Sequence, residues 1–334
     1  MNYKKLGNTN LDVSTICLGT MTWGEQNTQY EGFEQMDYAL DQGVNFWDTA
    51  EIYSIPMREE TYGETERIIG NWFQKTKKRD KIILATKVCG NTSNKYIRGG
   101  GYNFGKQKIT QALEESLKRL KTDYIDTFYI HWPDRFTNNF DRLYYSPSKD
   151  PKFIPLEVQF EAILKLKKSG KIRNFGISNE SAWGLSKFQN LSRKNKIKLY
   201  SQEEYSLINR KVEIAMKEIF MRDNIKFNAY SPLGGGLLTG KYFENKKYRG
   251  RFNSIKNFKM KRGYLDKLER SKKIYQYCKK NSISISKLSF SFLYYQKFVN
   301  GIIFGLSSKE QFNEIKGLLK KPIGKKFIKE VMDI

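Results

Sequence analysis

Tyr124-Ile-Asp-Thr-Phe-Tyr-Ile-His131 is a run of apolar, aromatic and β-branched residues that stops at a histidine. It reads as a buried strand running out into a loop. Three other segments end in the same way. They are Asn45-Phe-Trp-Asp48, with Tyr53 just beyond it; Lys81-Ile-Ile-Leu-Ala-Thr-Lys87; and Lys171-Ile-Arg-Asn-Phe-Gly-Ile-Ser178-Asn179. Each apolar run is closed by a residue with acid, base or hydrogen-bonding chemistry. In a barrel of parallel strands those ends meet at one face, where active sites lie. His131 is the only histidine of the chain, which excludes a multi-histidine metal site and a proton relay between imidazoles.

Outward from these four segments the chain alternates. Further strand candidates are 15–21, 199–205, 227–231 and 301–305. Helical patterns lie between, at 33–42, 64–75, 108–120, 156–168, 181–190, 211–220 and 309–319. Within 108–120, Ile109, Leu113, Leu117 and Leu120 recur at a helical period. Ser169-Gly170 is a helix stop. Eight strands alternating with helices predict an α/β fold, the (β/α)8 TIM barrel. An N-terminal β-hairpin over residues 3–13, with Asn8-Thr-Asn10 at its turn, is placed to cover the barrel's bottom. Two extra helices, 265–278 and 285–295, precede the last strand. The stretches 90–106, 132–155 and 237–264 exceed simple connections, and long loops in compact domains are usually functional. The first two follow Lys87 and His131 and frame the same mouth.

Composition agrees. The 334 residues suit one large barrel domain spanning 1–334; 39% are hydrophobic and 28% charged, as in a globular protein. No apolar run approaches the roughly 18 residues of a membrane span. The opening Met1-Asn-Tyr-Lys-Lys-Leu-Gly is too polar for a secretory signal. Cys17, Cys89 and Cys278 are widely spaced, which argues for a reducing cytoplasm over a disulfide framework or zinc site. The net charge of +25 comes from lysines scattered along the whole chain. It reads as a solvated surface, with no nucleic acid or membrane partner expected.

Asp48, Tyr53, Lys87 and His131 converge from the ends of strands two, three and four of that barrel. A tyrosine, with a pKa of about 10, is a weak proton donor at neutral pH. A neighbouring ammonium favours the phenolate, and an aspartate holds that lysine charged and oriented. A histidine positions the substrate oxygen. The set suits proton donation to an oxyanion as hydride reaches a carbonyl carbon. Taken singly, each residue has an ordinary structural use, as helix cap, strand-end lysine or loop packing. Together on successive strand ends they point to catalysis.

The segment Asn45-Phe-Trp-Asp-Thr-Ala-Glu-Ile-Tyr53, followed by Gly63-Glu-Thr-Glu66, resembles the signature of the aldo-keto reductase superfamily. So do Ala85-Thr-Lys87, Asp123-Tyr-Ile-Asp126, Gly170-Lys-Ile-Arg-Asn-Phe-Gly-Ile-Ser-Asn179 and Tyr230-Ser-Pro-Leu-Gly-Gly-Gly-Leu-Leu-Thr-Gly-Lys-Tyr242. Within it, His131-Trp-Pro-Asp-Arg135 and Ser178-Asn-Glu180 are most similar to the bacterial Tas-type reductases, relatives of potassium channel β subunits. The resemblance implies NADPH as cofactor and reversible reduction of aldehydes or ketones. It implies Tyr53 as general acid, Lys87 as its partner, Asp48 as the partner of Lys87, and His131 as the orienting group. Ser178, Asn179 and Gln202 would bind the nicotinamide carboxamide, and Tyr230 would stack on the ring. Ser231, Leu233 and Gly235 would approach the pyrophosphate, Gly235 because no Cβ is tolerated there.

For the 2′-phosphate the family's last strand and helix offer Ser307, Lys309 and Gln311. Several relatives place an arginine in that stretch and this chain has none. Lys309 supplies charge without a bidentate fork. The basic loop starting at Lys241 is expected to fold over the pyrophosphate. Trp23 and Trp132, with Tyr30 and Tyr53, are expected to wall the pocket of a small carbonyl substrate. The alternative class is a cofactor-binding module that senses NADPH/NADP⁺ and docks to a partner, as in the channel β subunits.

Overall fold

The computed structural model describes the chain apart from residues 7–10, 102–103, 139, 141–143, 150–151, 246, 251–263, 306–311, 314, 316 and 318–320. The first two strands, β1 (Tyr3–Lys5) and β2 (Asp12–Ser14), pair antiparallel, with Tyr3 opposite Ser14 and Lys5 opposite Asp12. Eight parallel strands then close a barrel. They are β3 (Ile16–Gly19), β4 (Phe46–Asp48), β5 (Ile83–Val88), β6 (Ile125–Ile130), β7 (Ile172–Ser178), β8 (Leu199–Glu204), β9 (Lys226–Tyr230) and β10 (Val299–Gly305). β10 pairs with both β3 and β9, which completes the circle. The expected (β/α)8 barrel with an N-terminal hairpin is the observed fold. The expected hairpin turn at Asn8-Thr-Asn10 lies outside the described residues.

Period-two alternation decides what faces inward. On β4, Phe46 joins the inner cluster, while Trp47 points outward onto Trp72 and Phe73 at centroid distances of 4.9 and 6.1 Å. On β5, Ile83 and Ala85 face inward and Leu84 and Val88 face the helices. That parity carries Asp48 and Lys87 into the barrel lumen. At the bottom, Leu6 and Val13 of the hairpin pack on Cys17, Phe46 and Tyr200, and the Tyr200 hydroxyl donates to the Leu6 carbonyl at 2.7 Å. Each large side chain so buried contributes about 1.5–3 kcal/mol.

The outer layer is α1 (Gln29–Asp41), α2 (Glu64–Thr76), α3 (Lys106–Leu120), α4 (Leu156–Lys168), α5 (Ala182–Lys194) and α6 (Lys211–Arg222). A four-residue α7 (Lys241–Glu244) follows β9, and the two extra helices are α8 (Tyr264–Lys280) and α9 (Ile285–Tyr294). α1 starts earlier than its apolar period suggests. Thr28 and Glu31 form a reciprocal capping box that pulls the helix start back to Gln29. α10 (Lys325–Met332) has no counterpart in the sequence reading. Its fully buried residues are Ile328 and Val331, flanked by the partly buried Phe327 and Met332 and set among lysines. The helix expected at 309–319 falls largely outside the described residues.

Candidate active site

Lys87 is the centre of the site. Its side chain is 0% exposed, and its ammonium donates to Asp48 Oδ2 at 2.6 Å and to the Thr49 carbonyl at 2.8 Å. The Tyr53 ring lies against it, with Nζ 5.1 Å from the ring centroid. Burial alone would lower the lysine pKa. Asp48, then Tyr53, outweigh that, and the net shift is upward from 10.5. Lys87 is therefore charged at neutral pH. Asp48 is equally well held, because Gln202 donates from Nε2 to Oδ1 at 2.8 Å. A buried ion pair is tolerable only when its remaining polar atoms are satisfied in this way.

Tyr53 reaches the same place from the β4–α2 connection. It is half-buried and packs with Ala50, Ile52, Cys89, Ile97 and Trp132. Its ring meets that of His131 edge-on, at a centroid distance of 5.7 Å. His131 extends the β5–β6 ladder by one residue, its amide donating to the Val88 carbonyl at 2.8 Å. The imidazole is buried, and its Nδ1 has no hydrogen-bond partner among the described residues. Burial, then the Lys87 charge, hold its pKa well below 6.5, so the ring is neutral. Trp132 lies 4.8 Å from the His131 ring and donates its indole N–H to the Asn91 carbonyl at 2.7 Å. The loops after β5 and β6 are thereby joined above the site.

The β7 end continues the patch. Ser178 Oγ donates to the Gln202 carbonyl at 2.7 Å, and Asn179 Nδ2 donates to the His131 carbonyl at 2.9 Å. The Tyr230 hydroxyl donates to Asn179 Oδ1 at 2.5 Å. Asn179 adopts a left-handed backbone, φ 53°, which asparagine tolerates better than most residues. After β9 the chain turns through Ser231 (φ 55°), the buried Leu233, and Gly234, Gly235 and Gly236 at φ 57°, 67° and 101°. Left-handed residues at such a turn shape the concavity that cradles anions, and glycine is the residue that takes these angles without strain.

Not every expected residue joins this mouth. Trp23 is fully buried in the main core instead, its indole N–H on Gln35 Oε1 at 2.8 Å. Tyr30 is 72% exposed on α1. Gln202, expected toward a carboxamide, has its amide nitrogen on Asp48. Lys241 is exposed at the start of α7, with its ammonium 5.9 Å from the Tyr248 ring centroid. Ser307, Lys309 and Gln311 lie outside the described residues.

Four buried titratable groups beside the site were not singled out from the sequence. Glu51 and Arg98 form an ion pair with side chains 0% and 5% exposed. Glu51 stands within the Asp48–Tyr53 motif, and Arg98 precedes three glycines; both signals were in plain view. Asp134 accepts the Phe104 amide at 3.2 Å, and burial pushes its pKa up to about 6 against the pull of the Phe104 and Ile154 amides. Glu203, next to Gln202, accepts the Glu180 amide at 3.1 Å; burial raises its pKa well above 4.5.

A closed parallel barrel with a buried lysine–carboxylate pair, a tyrosine and a neutral histidine at its C-terminal face is arranged as a barrel enzyme is. Residues 15–334 match the model of the Aldo/keto reductase family. The chain belongs to that family, and its activity is that of an oxidoreductase. It is 36% identical to protein Tas of Escherichia coli (strain K12) over 316 residues, 93% of this chain and 91% of that protein. It is 27% identical over 332 residues, 99% of this chain and 90% of that protein, to the aldo-keto reductase yakc of Schizosaccharomyces pombe, whose name includes NADP(+). It is also 30% identical over 250 residues to a probable voltage-gated potassium channel subunit beta of Arabidopsis thaliana, 72% of this chain and 67% of that protein. No helix among the described residues is long and apolar enough to cross a membrane.

Proposed function

We propose that the chain, as one catalytic domain, is an NADPH-dependent reductase of aldehydes or ketones, with Tyr53 as proton donor. The observation that carries this reading is the charged Lys87, locked by Asp48 and set 5.1 Å from the Tyr53 ring centroid, with the His131 ring edge-on beyond it. When bound, reduced nicotinamide supplies hydride to the substrate's carbonyl carbon. Tyr53 gives its hydroxyl proton to the carbonyl oxygen as negative charge collects there. Lys87 stabilises the phenolate left behind, and Asp48 keeps Lys87 charged and aimed. His131 donates a hydrogen bond to the same oxygen from Nε2. A buried N–H without an acceptor is costlier than an unfilled acceptor, so the proton belongs on Nε2 rather than the orphaned Nδ1.

Ser178, Asn179 and Tyr230 offer a polar, aromatic-edged patch suited to a carboxamide and the face of its ring. The left-handed turn from Ser231 to Gly236 fits a pyrophosphate, with Leu233 and Gly235 in it and Lys241 at its end. NADPH is preferred over NADH on the basis of Ser307, Lys309 and Gln311. Trp132 walls the substrate side. A reducing cytoplasm is the proposed compartment, in keeping with three buried, unpaired cysteines.

The test is NADPH consumption with a panel of aromatic, aliphatic and dicarbonyl substrates, wild type beside Tyr53→Phe. Turnover that falls at least about 100-fold in the variant, with cofactor binding retained, supports the reading. Tight NADPH binding with no turnover on the whole panel supports a cofactor sensor instead, and tighter binding of NADH than NADPH sinks the cofactor assignment.

A further inference from the structure

The β5–α3 loop, residues 90–105, contains an unusual backbone run. Arg98, Gly99, Gly100 and Gly101 all lie in the left-handed region, at φ 47°, 79°, 68° and 80°. Three glycines adopt this freely, whereas the arginine does so under strain. The turn is tied down locally. Gly99 and Gly100 donate to the Lys95 and Ile97 carbonyls at 2.9 Å, Gly101 donates to Thr92 at 2.7 Å, and Lys108 Nζ donates to the Gly100 carbonyl at 2.8 Å.

The turn delivers a guanidinium to a buried carboxylate. Arg98 Nη2 donates to Glu51 Oε1 at 2.7 Å, and Nη1 donates to Glu51 Oε2. The Tyr62 hydroxyl donates to Glu51 Oε2 at 3.2 Å, and the Cys89 thiol lies 3.7 Å from Nη2. Glu115, at 3.9 Å from Arg98 Nη1, and Arg119 complete the charged surroundings. Glu51 in turn bridges two catalytic segments. Its amide donates to the Lys87 carbonyl at 3.1 Å, and its Oε1 accepts the Cys89 amide at 2.6 Å. It stands three residues after Asp48 and two before Tyr53. One side chain therefore clasps the segment that bears Lys87 to the segment that bears Tyr53.

We propose that Arg98 and Glu51 are positioning residues: the loop-borne guanidinium locks Glu51, and Glu51 sets Tyr53 against Lys87. This inference rests on Tyr53 being the proton donor. A carboxylate buried without its guanidinium is driven to move or to take up a proton. Either response loosens the clasp between β4 and β5. Displacement of a reacting group by about 1 Å costs on the order of 100-fold in rate.

The experiment compares wild type, Tyr53→Phe, Arg98→Ala and Glu51→Gln by steady-state kinetics from pH 6 to 10, with NADPH affinity measured separately. Arg98→Ala is expected to lower kcat by about 10- to 100-fold, with NADPH affinity within about twofold. Its basic limb of kcat moves to higher pH, because at the alkaline pH of that limb Glu51 is ionised and unpaired. Glu51→Gln keeps an acceptor for the Cys89 amide and moves the limb to lower pH, because Arg98 is left unpaired. Millimolar guanidinium restores part of the Arg98→Ala rate and none of the Tyr53→Phe rate. Opposite displacements of the limb are a result that a purely structural pair does not give. If Arg98→Ala does not fold, the Glu51→Gln profile decides alone. Unchanged kcat and limb in the folded variants overturn the positioning role while leaving Tyr53 in place. Equal turnover by Tyr53→Phe and wild type overturns both.

Discussion

Gln202 and Asp48 stand on opposite walls of the barrel, on β8 and β4, and meet across its interior at 2.8 Å. The hydrogen bond fills the one Asp48 oxygen that Lys87 does not use. Gln202→Leu leaves that oxygen without its side-chain donor in the buried lumen, and a buried bond to a charged group contributes about 1.5–3 kcal/mol. The urea midpoint should fall by an equivalent amount. An unchanged midpoint would mean that Asp48 needs no second partner.

His131 should be neutral in the folded protein at neutral pH. Its folded pKa is depressed below 6.5, so the unfolded chain takes up the proton first as pH falls. The corresponding stability is complete above pH 6.5 and drains away below it, by at most about 1.4 kcal/mol per pH unit. Since the chain has one histidine, its imidazole resonance is unambiguous in a proton NMR titration. That resonance should not move between pH 8 and 6. A midpoint near 6.5 would contradict the burial argument.

Asp134 makes the opposite prediction. Its folded pKa of about 6 lies above the unfolded 3.8, so ionisation penalises the fold as pH rises between those values. Above pH 6 the penalty is constant. Asp134→Asn should therefore gain stability on wild type across pH 4 to 6, by roughly 1–3 kcal/mol, and hold that gain to pH 8. Paired chemical denaturation at pH 4, 6 and 8 measures it. A gain that is largest at pH 4 would reverse the assignment.

Gly90 is where the loops after β5 and β6 touch. A Cβ there would sit 2.1 Å from the Trp132 carbonyl oxygen and 2.7 Å from that of Pro133, both rigid backbone. Gly90→Ala should cost about 1–3 kcal/mol, as overpacking does. It should also raise KM for bulky carbonyls, because Trp132 shifts. A variant with wild-type melting temperature and KM would show that the loops slide freely.

The strand ends were legible because a short apolar run closed by a polar residue is a local signal. Asn45 to Asp48 and Lys81 to Lys87 announce by their own spacing which residues share a face, and the closed barrel then brings those faces together. The start of α1 was equally readable in Thr28 and Glu31, although the apolar period alone missed it. Trp23 misled, because an aromatic residue just beyond a strand reads as pocket wall; here it packs under α1 against Gly32. α10 carries a readable apolar stripe, Phe327, Ile328, Val331 and Met332, set among lysines, which the sequence reading passed over.

By itself, the sequence determined the barrel and the four chemical groups at its mouth. Both follow from short-range patterns, the apolar run of a strand and the polar residue that ends it. The tertiary structure alone decided which groups meet. Gln202 finds Asp48 across 154 positions of chain, and Arg98 finds Glu51 across 47. No local spacing encodes such pairs. They exist because closure of the barrel and a left-handed turn bury polar groups side by side, where each must find a partner.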